Sequence, residues 1–346
     1  MYSMLDYNSY IDRLSEILRI NSTTGMCDEI GRYIKCEMQK LGLHPQSMHK
    51  GGVFVDIGGE GDPLYIMVHC DTIGLIVKSI NQDGTLKVVP IGGLRPYHAE
   101  LAHINVHTSS GRVYTGTIFR HHSCFHIAPE GYFEQQPSFD SNLCIVLDED
   151  VTTKQDVELL GVNIGDLISL SPNTVITNNG YIKSRFIDNK ACVAMIMELT
   201  KNLVISASKL TRKVIIGYTM HEEVGHGGAW IPCGVKDVLS VDVACVGPDS
   251  NSSEKRVTLF AYDSRFPYHY GLLQELIQSA QDANCEYSVD VITPRGGTDS
   301  DSAIISGNDV RHGALGPGIR GCHSYERTNF LAITNTYDLL FKYITQ

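Results

Sequence analysis

The chain has 346 residues, 42% hydrophobic and 19% charged, with 28 basic against 39 acidic side chains and a net charge of −11. That length carries a large core divided over about two domains. The acidic balance, with a pI ≈ 5.7, argues against a nucleic-acid or anionic-membrane partner, and apolar runs such as "KVIIGYTM" are too short to span a bilayer.

The N-terminus "MYSMLDYNSYIDRL" has no basic segment leading into an apolar one, so no signal peptide is read and a cytoplasmic location is expected. Residues 5–43 read as helical: "YIDRLSEILRI" and "GMCDEIGRYIKCEMQKLGL" repeat an apolar stripe at helical spacing. Strands follow in "GGVFVDIGG" and "PLYIMVHCDTIGLIVKSI". From about 73 to 175 short β runs and turns ("GTLKVVPIGG", "AHINVHTSSGRVYTGTIF", "DLISLSPNTVIT") predict a compact all-β insertion without a long helix. Helix "NKACVAMIMELTKNLV" and strand "RKVIIGYTM" come next, and strands and helices alternate to the end. The pattern predicts an α/β/α sandwich with a mixed central sheet, residues 1–72 and 176–346, interrupted by a β-rich domain at 73–175. Ten cysteines stand singly, without a CxxC pair, and read as free thiols of a reducing compartment.

Side chains able to do chemistry gather at the predicted strand ends and loops, where α/β folds hold ligands. In "VHCDTIG" His69 and Asp71 stand two apart and share a face of an extended strand. An Asp so placed fixes the imidazole tautomer behind a metal ligand; the plain alternative is a core histidine satisfied by a local carboxylate. Asp188, in "FIDNKACVA", precedes a helix, where capping is the commoner duty of an Asp. "TMHEEVGHGG" sets Glu222 beside Glu223 at the end of an apolar strand. Adjacent carboxylates repel, and a divalent cation offsets this by neutralising one while the other handles a proton. The alternative there is a solvated acidic turn. Asp242 lies in the apolar "SVDVACVG", a costly place for an unpaired carboxylate. His323 occupies the Gly-bounded loop "GIRGCHSYERT", with Glu326 three residues on; a loop histidine by itself is usually surface. Together the donors suit two divalent ions, zinc or cobalt by type, sharing a bridging carboxylate.

In order along the chain, "HCDTIGLIV", "FIDNKACVA", "HEEVGHGGA", "VDV", "GGTDSDSA" and "CHSYERT" resemble the motifs of the M42 family of metallo-aminopeptidases. The resemblance covers essentially the whole chain, and "YDSRFPYHY" and "HSYERT" look especially like the deblocking aminopeptidase branch. It implies a zinc-peptidase-like sandwich with a PDZ-like dimerisation domain. It also implies a binuclear aminopeptidase that removes N-terminal residues from short peptides with a metal-activated water. His69 and His323 would each ligate one ion, Asp188 would bridge them, Glu223 would complete one site and Asp242 the other. Glu222 would be the general base and Asp71 would orient His69. His269, Thr298 and Asp299, with Tyr268, would line the substrate pocket. Two divalent ions per subunit, Zn²⁺ or Co²⁺, and a dimer-based homo-oligomer up to a dodecamer complete the expectation.

The chain departs from the family pattern at Asn189-Lys190, at His221 where Gln is usual, and at His226-Gly227 where Leu-Arg is common. The interval from Glu223 to Asp242 is short for the family, which makes Asp249 a rival ligand, although strand context favours Asp242. His121, His122 and His126 read as a surface or interface loop rather than another metal cluster, and Cys322 as a small neighbour of His323. An N-deacylase or carboxypeptidase with the same ions and a different pocket stays open, as does a catalytically altered binding protein on the same scaffold. A glycosidase needs carboxylates about 5–9.5 Å apart, which neighbours in sequence supply poorly.

Overall fold

In the computed structural model, which describes residues 5–345, the N-terminal stripes become helices α1 (Tyr7–Arg19) and α2 (Asp28–Lys40). Asp6 caps α1 by accepting the Ser9 N–H at 2.7 Å. Each helix buries one face, Tyr10, Leu14, Ile17 and Leu18 in α1 and Ile30, Ile34 and Met38 in α2. Both lie in the larger of two compact units, formed by residues up to Ser22, Cys27–Asp71 and the chain from Asn173 onward.

The strands of this unit's main sheet are β1 (Gln46–Ser47), β2 (Val53–Gly58), β3 (Leu64–His69), β4 (Val214–Thr219), β5 (Asp237–Val241), β6 (Val257–Tyr262), β7 (Tyr287–Val291) and β8 (Arg311–Ile319). Their spatial order is β1-β2-β4-β3-β5-β8-β6-β7, with the short strand Ala244–Cys245 pairing on β8. The inner strands β4, β3, β5 and β8 run parallel, while β2 and β6 flank them antiparallel. The sheet is therefore mixed, and the α/β class is the one expected. Every residue of β3, β4 and β5 is buried, the mark of parallel strands covered on both faces. The covering helices are α3 (Ile187–Ile205), α4 (Tyr270–Asp282), α5 (Asp299–Ile305) and α6 (Phe330–Ile344). Tyr65, Met67, Ile215 and Val238 pack with Ala303 of α5, and α3, buried along most of its length, packs on β3.

Parallel strands deliver their C-terminal ends to a single edge. His69 closes β3 in register with Thr219 at the end of β4. Val241 closes β5 opposite Leu315 of β8.

The smaller unit comprises Thr23–Met26 and Thr72–Pro172. Its strands Gly74–Ile80, Leu86–Ile91, Leu143–Leu147, Val113–Arg120, His103–His107 and Leu167–Leu170 close, in that order, into an antiparallel barrel. Closure leaves the barrel strands without a free edge. This closed barrel stands where a PDZ-like domain was expected, and the unit is not all β. Lys154–Leu160 is a helix, set by a capping box in which Thr153 Oγ1 accepts the Asp156 N–H at 3.3 Å and Asp156 Oδ2 accepts the Thr153 N–H at 2.8 Å. Seven residues are too few for an apolar period to reveal it.

Candidate metal centre

The C-terminal edge of the parallel strands gathers acid and imidazole. His69 ends β3, Glu222 and Glu223 occupy the turn after β4, Asp242 follows β5, and His323 lies in the turn after β8. Asp188 stands at the start of α3 with non-helical backbone angles, so it faces the cluster instead of capping the helix. Asp242 is just past its strand rather than within it. The ladder breaks between Val241 and Ala244, and Asp242 Oδ1 accepts the Val243 N–H at 2.7 Å.

His69 Nε2 lies 3.1 Å from Asp188 Oδ1, 3.7 Å from Asp242 Oδ1 and 3.8 Å from Glu222 Oε2. His323 Nε2 lies 3.2 Å from Glu223 Oε2 and 3.5 Å from Asp188 Oδ2. Asp188 thus turns one oxygen to each histidine. Three overlapping groups result, His69–Asp188–Glu223, His69–Glu222–Asp242 and Asp188–Cys322–His323, each with donor atoms within 4.8 Å of one another. Carboxylate oxygens and imidazole nitrogens, buried and convergent, are the donor set of zinc-like divalent ions. The residues fit such ions.

Two carboxylates hold the donors in place. Asp71, fully buried, accepts the Glu222 N–H at 3.1 Å on Oδ1 and the Glu223 N–H at 3.4 Å on Oδ2. His69 Nδ1 lies 3.1 Å from the Asp71 carbonyl and 3.7 Å from its carboxylate. The main chain of Asp71 therefore orients the imidazole, and its carboxylate anchors the Glu222–Glu223 turn, a duty the sequence did not suggest. His221 supports the same turn with φ +73°, which reverses the chain after β4. Glu326 accepts the Asp188 N–H at 2.9 Å on Oε2 and the His323 N–H at 3.0 Å on Oε1. Its only trace in the sequence is the three-residue spacing from His323.

The charges show why cations belong here. Burial would pull the His69 imidazole down, but Asp242, Asp188 and Asp71 outweigh it and hold the ring well above its ordinary value. Burial likewise opposes the His323 imidazole, yet Asp188 and Glu223 push it up to about 12. Asp188 is the reverse case: desolvation disfavours its charge, and the two histidines still hold it well below the carboxylate range. Glu222 is pushed well above its usual value by burial, with Asp242, Asp299 and Glu223 adding to it. Burial also raises Glu223 and Asp242 against the pull of His323 and His69. Buried carboxylates in this number either take up protons or need positive charge beside them.

The expected pocket residues do not stay together. His269 caps α4 by accepting the Leu272 N–H at 3.2 Å and lines a cavity with Asp237 and Arg311, the first residues of β5 and β8. That is the opposite edge of the sheet from the donor cluster. Thr298 and Asp299 are buried. Thr298 Oγ1 meets the Tyr268 hydroxyl at 3.2 Å, and Asp299 takes the Thr219 hydroxyl. An ideal Cβ on Gly228 would lie 2.0 Å from the Asp299 carbonyl, so α5 packs directly beneath the turn that follows Glu222 and Glu223. Burial, partly offset by Thr219, pushes the Asp299 carboxyl up to about 7. Asp249 is exposed and absent from the donor groups. His121, His122 and His126 are exposed and form no metal-ligand group among the described residues. Asn189 Nδ2 donates to Val241 O at 2.8 Å and Lys190 Nζ to Ile20 O at 2.5 Å, so these departures tie α3 to neighbouring main chain. Cys322 is closer to the centre than expected, its Sγ 3.2 Å from Asp188 Oδ2.

The M42 glutamyl aminopeptidase family profile matches residues 51–339. The chain belongs to the M42 peptidase family. As an M42 aminopeptidase it is a peptide-bond hydrolase, and membership implies use of a divalent metal. It is 34% identical to a putative aminopeptidase, YhfE, of Bacillus subtilis, over 99% of each chain. It is 28% identical to the glutamyl aminopeptidase of Lactococcus lactis over 91% of this chain and 90% of that one. Among solved structures, a TET aminopeptidase from a marine-sediment Thaumarchaeota archaeon superposes with a TM-score of 0.89 at 19% identity, covering 98% of this chain and 96% of that one. The TET1 peptidase of Pyrococcus horikoshii, which can assemble into a tetrahedron or a large octahedral shell, gives 0.85 at 23% identity, covering 96% and 98%. These two likenesses establish the fold.

Proposed function

We propose that this M42 aminopeptidase removes N-terminal residues from short peptides at a centre of two divalent ions, zinc or cobalt. The observation that carries the reading is Asp188, whose two oxygens face two different histidines. His69 and Asp242 would hold one ion, His323 and Glu223 the other, and Asp188 both. When bound, the ions supply Lewis acidity, polarising the scissile carbonyl and acidifying the attacking water.

The chain's own residues do the rest. Glu222, which the ligand set leaves free, takes the proton from the water and returns it to the leaving amine. Its buried carboxylate binds a proton more readily than a solvated one, which suits a group that carries it between two steps. Asp71 fixes the Glu222–Glu223 turn, so base and ligand keep their separation while the proton moves. Glu326 holds Asp188 and His323 by their main-chain N–H groups, leaving both side chains free to ligate.

We also place the chain in a dimer-based homo-oligomer of up to twelve copies, with the barrel unit as dimerisation element. Support comes from the fold it shares with the assembling P. horikoshii TET1 peptidase. Light scattering on the purified protein tests this, and a monomer at micromolar concentration would end it.

The catalytic reading is tested by stripping the protein with a chelator, reloading Zn²⁺ or Co²⁺, and comparing aminoacyl-p-nitroanilides with N-acyl amino acids. Aminoacyl turnover that vanishes with the metal and returns with it is expected. Hydrolysis of N-acyl amino acids alone would assign a deacylase pocket instead, and activity that survives chelation would remove the metals from the reaction.

A further inference from the structure

Two cysteines meet at the rim of the donor cluster. The strand Ala244–Cys245 runs parallel to β8, with Cys245 opposite Ile319, and Val246 N–H ties it there by donating to Ile319 O at 2.7 Å. The chain leaves β8 at Ile319 and doubles back, with Arg320 bridging to Arg327 and the Ser324 N–H closing on Gly321 O at 2.9 Å. That reversal brings Cys322 up to Cys245, close enough for each thiol to perturb the other. Cys322 Sγ also reaches Asp188 Oδ2 at 3.2 Å, the same oxygen that lies 3.5 Å from His323 Nε2. Cys322 therefore touches the bridging carboxylate on one side and, on the other, a cysteine that is exposed to solvent.

We propose that Cys245 and Cys322 form a reversible disulfide that weakens metal binding at the Asp188–His323 end of the centre. The proposal rests on the two-ion reading above and names hydroperoxides as oxidant. The exposed Cys245 sulfur attacks one peroxide oxygen, the O–O bond breaks, and a sulfenic acid and one water form. The Cys322 sulfur then attacks the Cys245 sulfur. The S–S bond forms as the S–O bond breaks, and the hydroxyl departs with the thiol proton as a second water. Two thiols and one hydrogen peroxide thus give one disulfide and two waters, with both electrons passing to the peroxide. Thiol–disulfide exchange with a small dithiol reverses the step.

The consequence for the metal is geometric. A disulfide holds its sulfurs about 2 Å apart, far closer than two unbonded thiols, so Cys322 is drawn toward Cys245 and away from Asp188. His323 is joined to Cys322 by one peptide bond and moves with it. Displacing a group that supports metal ligands weakens metal affinity by about 10–100-fold, and the disulfide should act on the same scale.

The test treats the full-length, metal-loaded protein with hydrogen peroxide, maps its disulfides by mass spectrometry, and follows bound metal after gel filtration beside peptidase activity. A Cys245–Cys322 cross-linked peptide is expected, lighter by two hydrogen atoms. Bound metal should fall from two toward one ion per chain and activity by about tenfold, with a dithiol restoring both. C245S should keep the reduced-state activity and resist the loss. No cross-link under conditions that oxidise the exposed Cys36 and Cys233 overturns the proposal. A cross-link without loss of metal overturns it as a switch, as does equal metal loss in C245S. If the reduced protein binds two ions yet cleaves no peptide, the functional reading fails alone, and the cross-link and metal count still decide this one.

Discussion

Replacing Glu222 by Gln removes a charge and keeps the side chain's shape. Glu222 Oε2 lies 3.8 Å from His69 Nε2, and the Glu222 main chain is held by Asp71, so the amide enters a turn that is already fixed. A carboxamide takes up no proton near neutrality. Proton transfer by a positioned group contributes about 10²–10⁴ in rate. At about 1.36 kcal/mol per decade, the variant therefore loses roughly 2.7–5.5 kcal/mol of transition-state stabilisation.

Folding responds in the opposite direction. Burial, and then Asp242, Asp299 and Glu223, raise the Glu222 carboxyl well above its ordinary value. A raised carboxyl favours the fold below its unfolded pKa of about 4.3 and loses that contribution as pH climbs toward the folded value. The neutral amide escapes this loss, so the metal-free variant should match or exceed the metal-free wild type at neutral pH. The assay is kcat and KM on an aminoacyl-p-nitroanilide, beside bound metal and the urea midpoint of the stripped protein. We expect kcat to fall at least ~100-fold with KM and metal content unchanged. Turnover within about tenfold of wild type would falsify the assignment of Glu222 as proton carrier, and loss of metal would move it into the ligand set.

Metal removal should itself destabilise the fold, because Glu222, Glu223 and Asp242 are all held above their ordinary values by burial. At free metal of 100 times Kd the linkage amounts to about 2.7 kcal/mol, and a urea midpoint unmoved by chelator contradicts the reasoning. Asp237→Asn breaks a buried carboxylate that accepts from Arg212 Nη1 at 2.5 Å and from Arg311 Nε and Nη2 at 2.7 and 2.6 Å; it should cost about 3 kcal/mol in urea unfolding. Burial opposes the Asp237 charge, but the two arginines outweigh it and lower its pKa. The contribution is therefore present above the unfolded value of about 3.9 and is lost as pH falls through the folded one. Wild type and variant should converge in acid, and a constant gap from neutral pH down to about pH 2 refutes the ion-pair account. Gly316→Ala would place a Cβ 1.7 Å from the Asp242 carbonyl. Main chain must move there, so a stability cost of about 1–3 kcal/mol should come with reduced metal content, and a fully loaded, fully stable variant would show that Asp242 has room to give.

The local pattern of the sequence determined most element types and the candidate donors. The stripes of α1 and α2, the apolar runs of β3 and β4 and the acid or histidine at each strand end are short-range facts, legible because periodicity and chemistry are written residue by residue. Three features lie outside the local pattern, because they depend on which segments meet. Asp188 finds His69 across 119 residues only because α3 packs against β3. Asp71 anchors the Glu222–Glu223 turn because β3 and β4 end in register. His269 and Asp299, both expected to line the substrate pocket, part company because strand direction sends His269 to the far edge while Asp299 is buried beside the end of β4. The approach of Cys322 to Cys245 belongs to the same class, since a parallel ladder sets Cys245 beside β8 and the turn after β8 returns Cys322. Strand order and direction arise from long-range pairing between chain segments, and that pairing decides which titratable groups share one desolvated space.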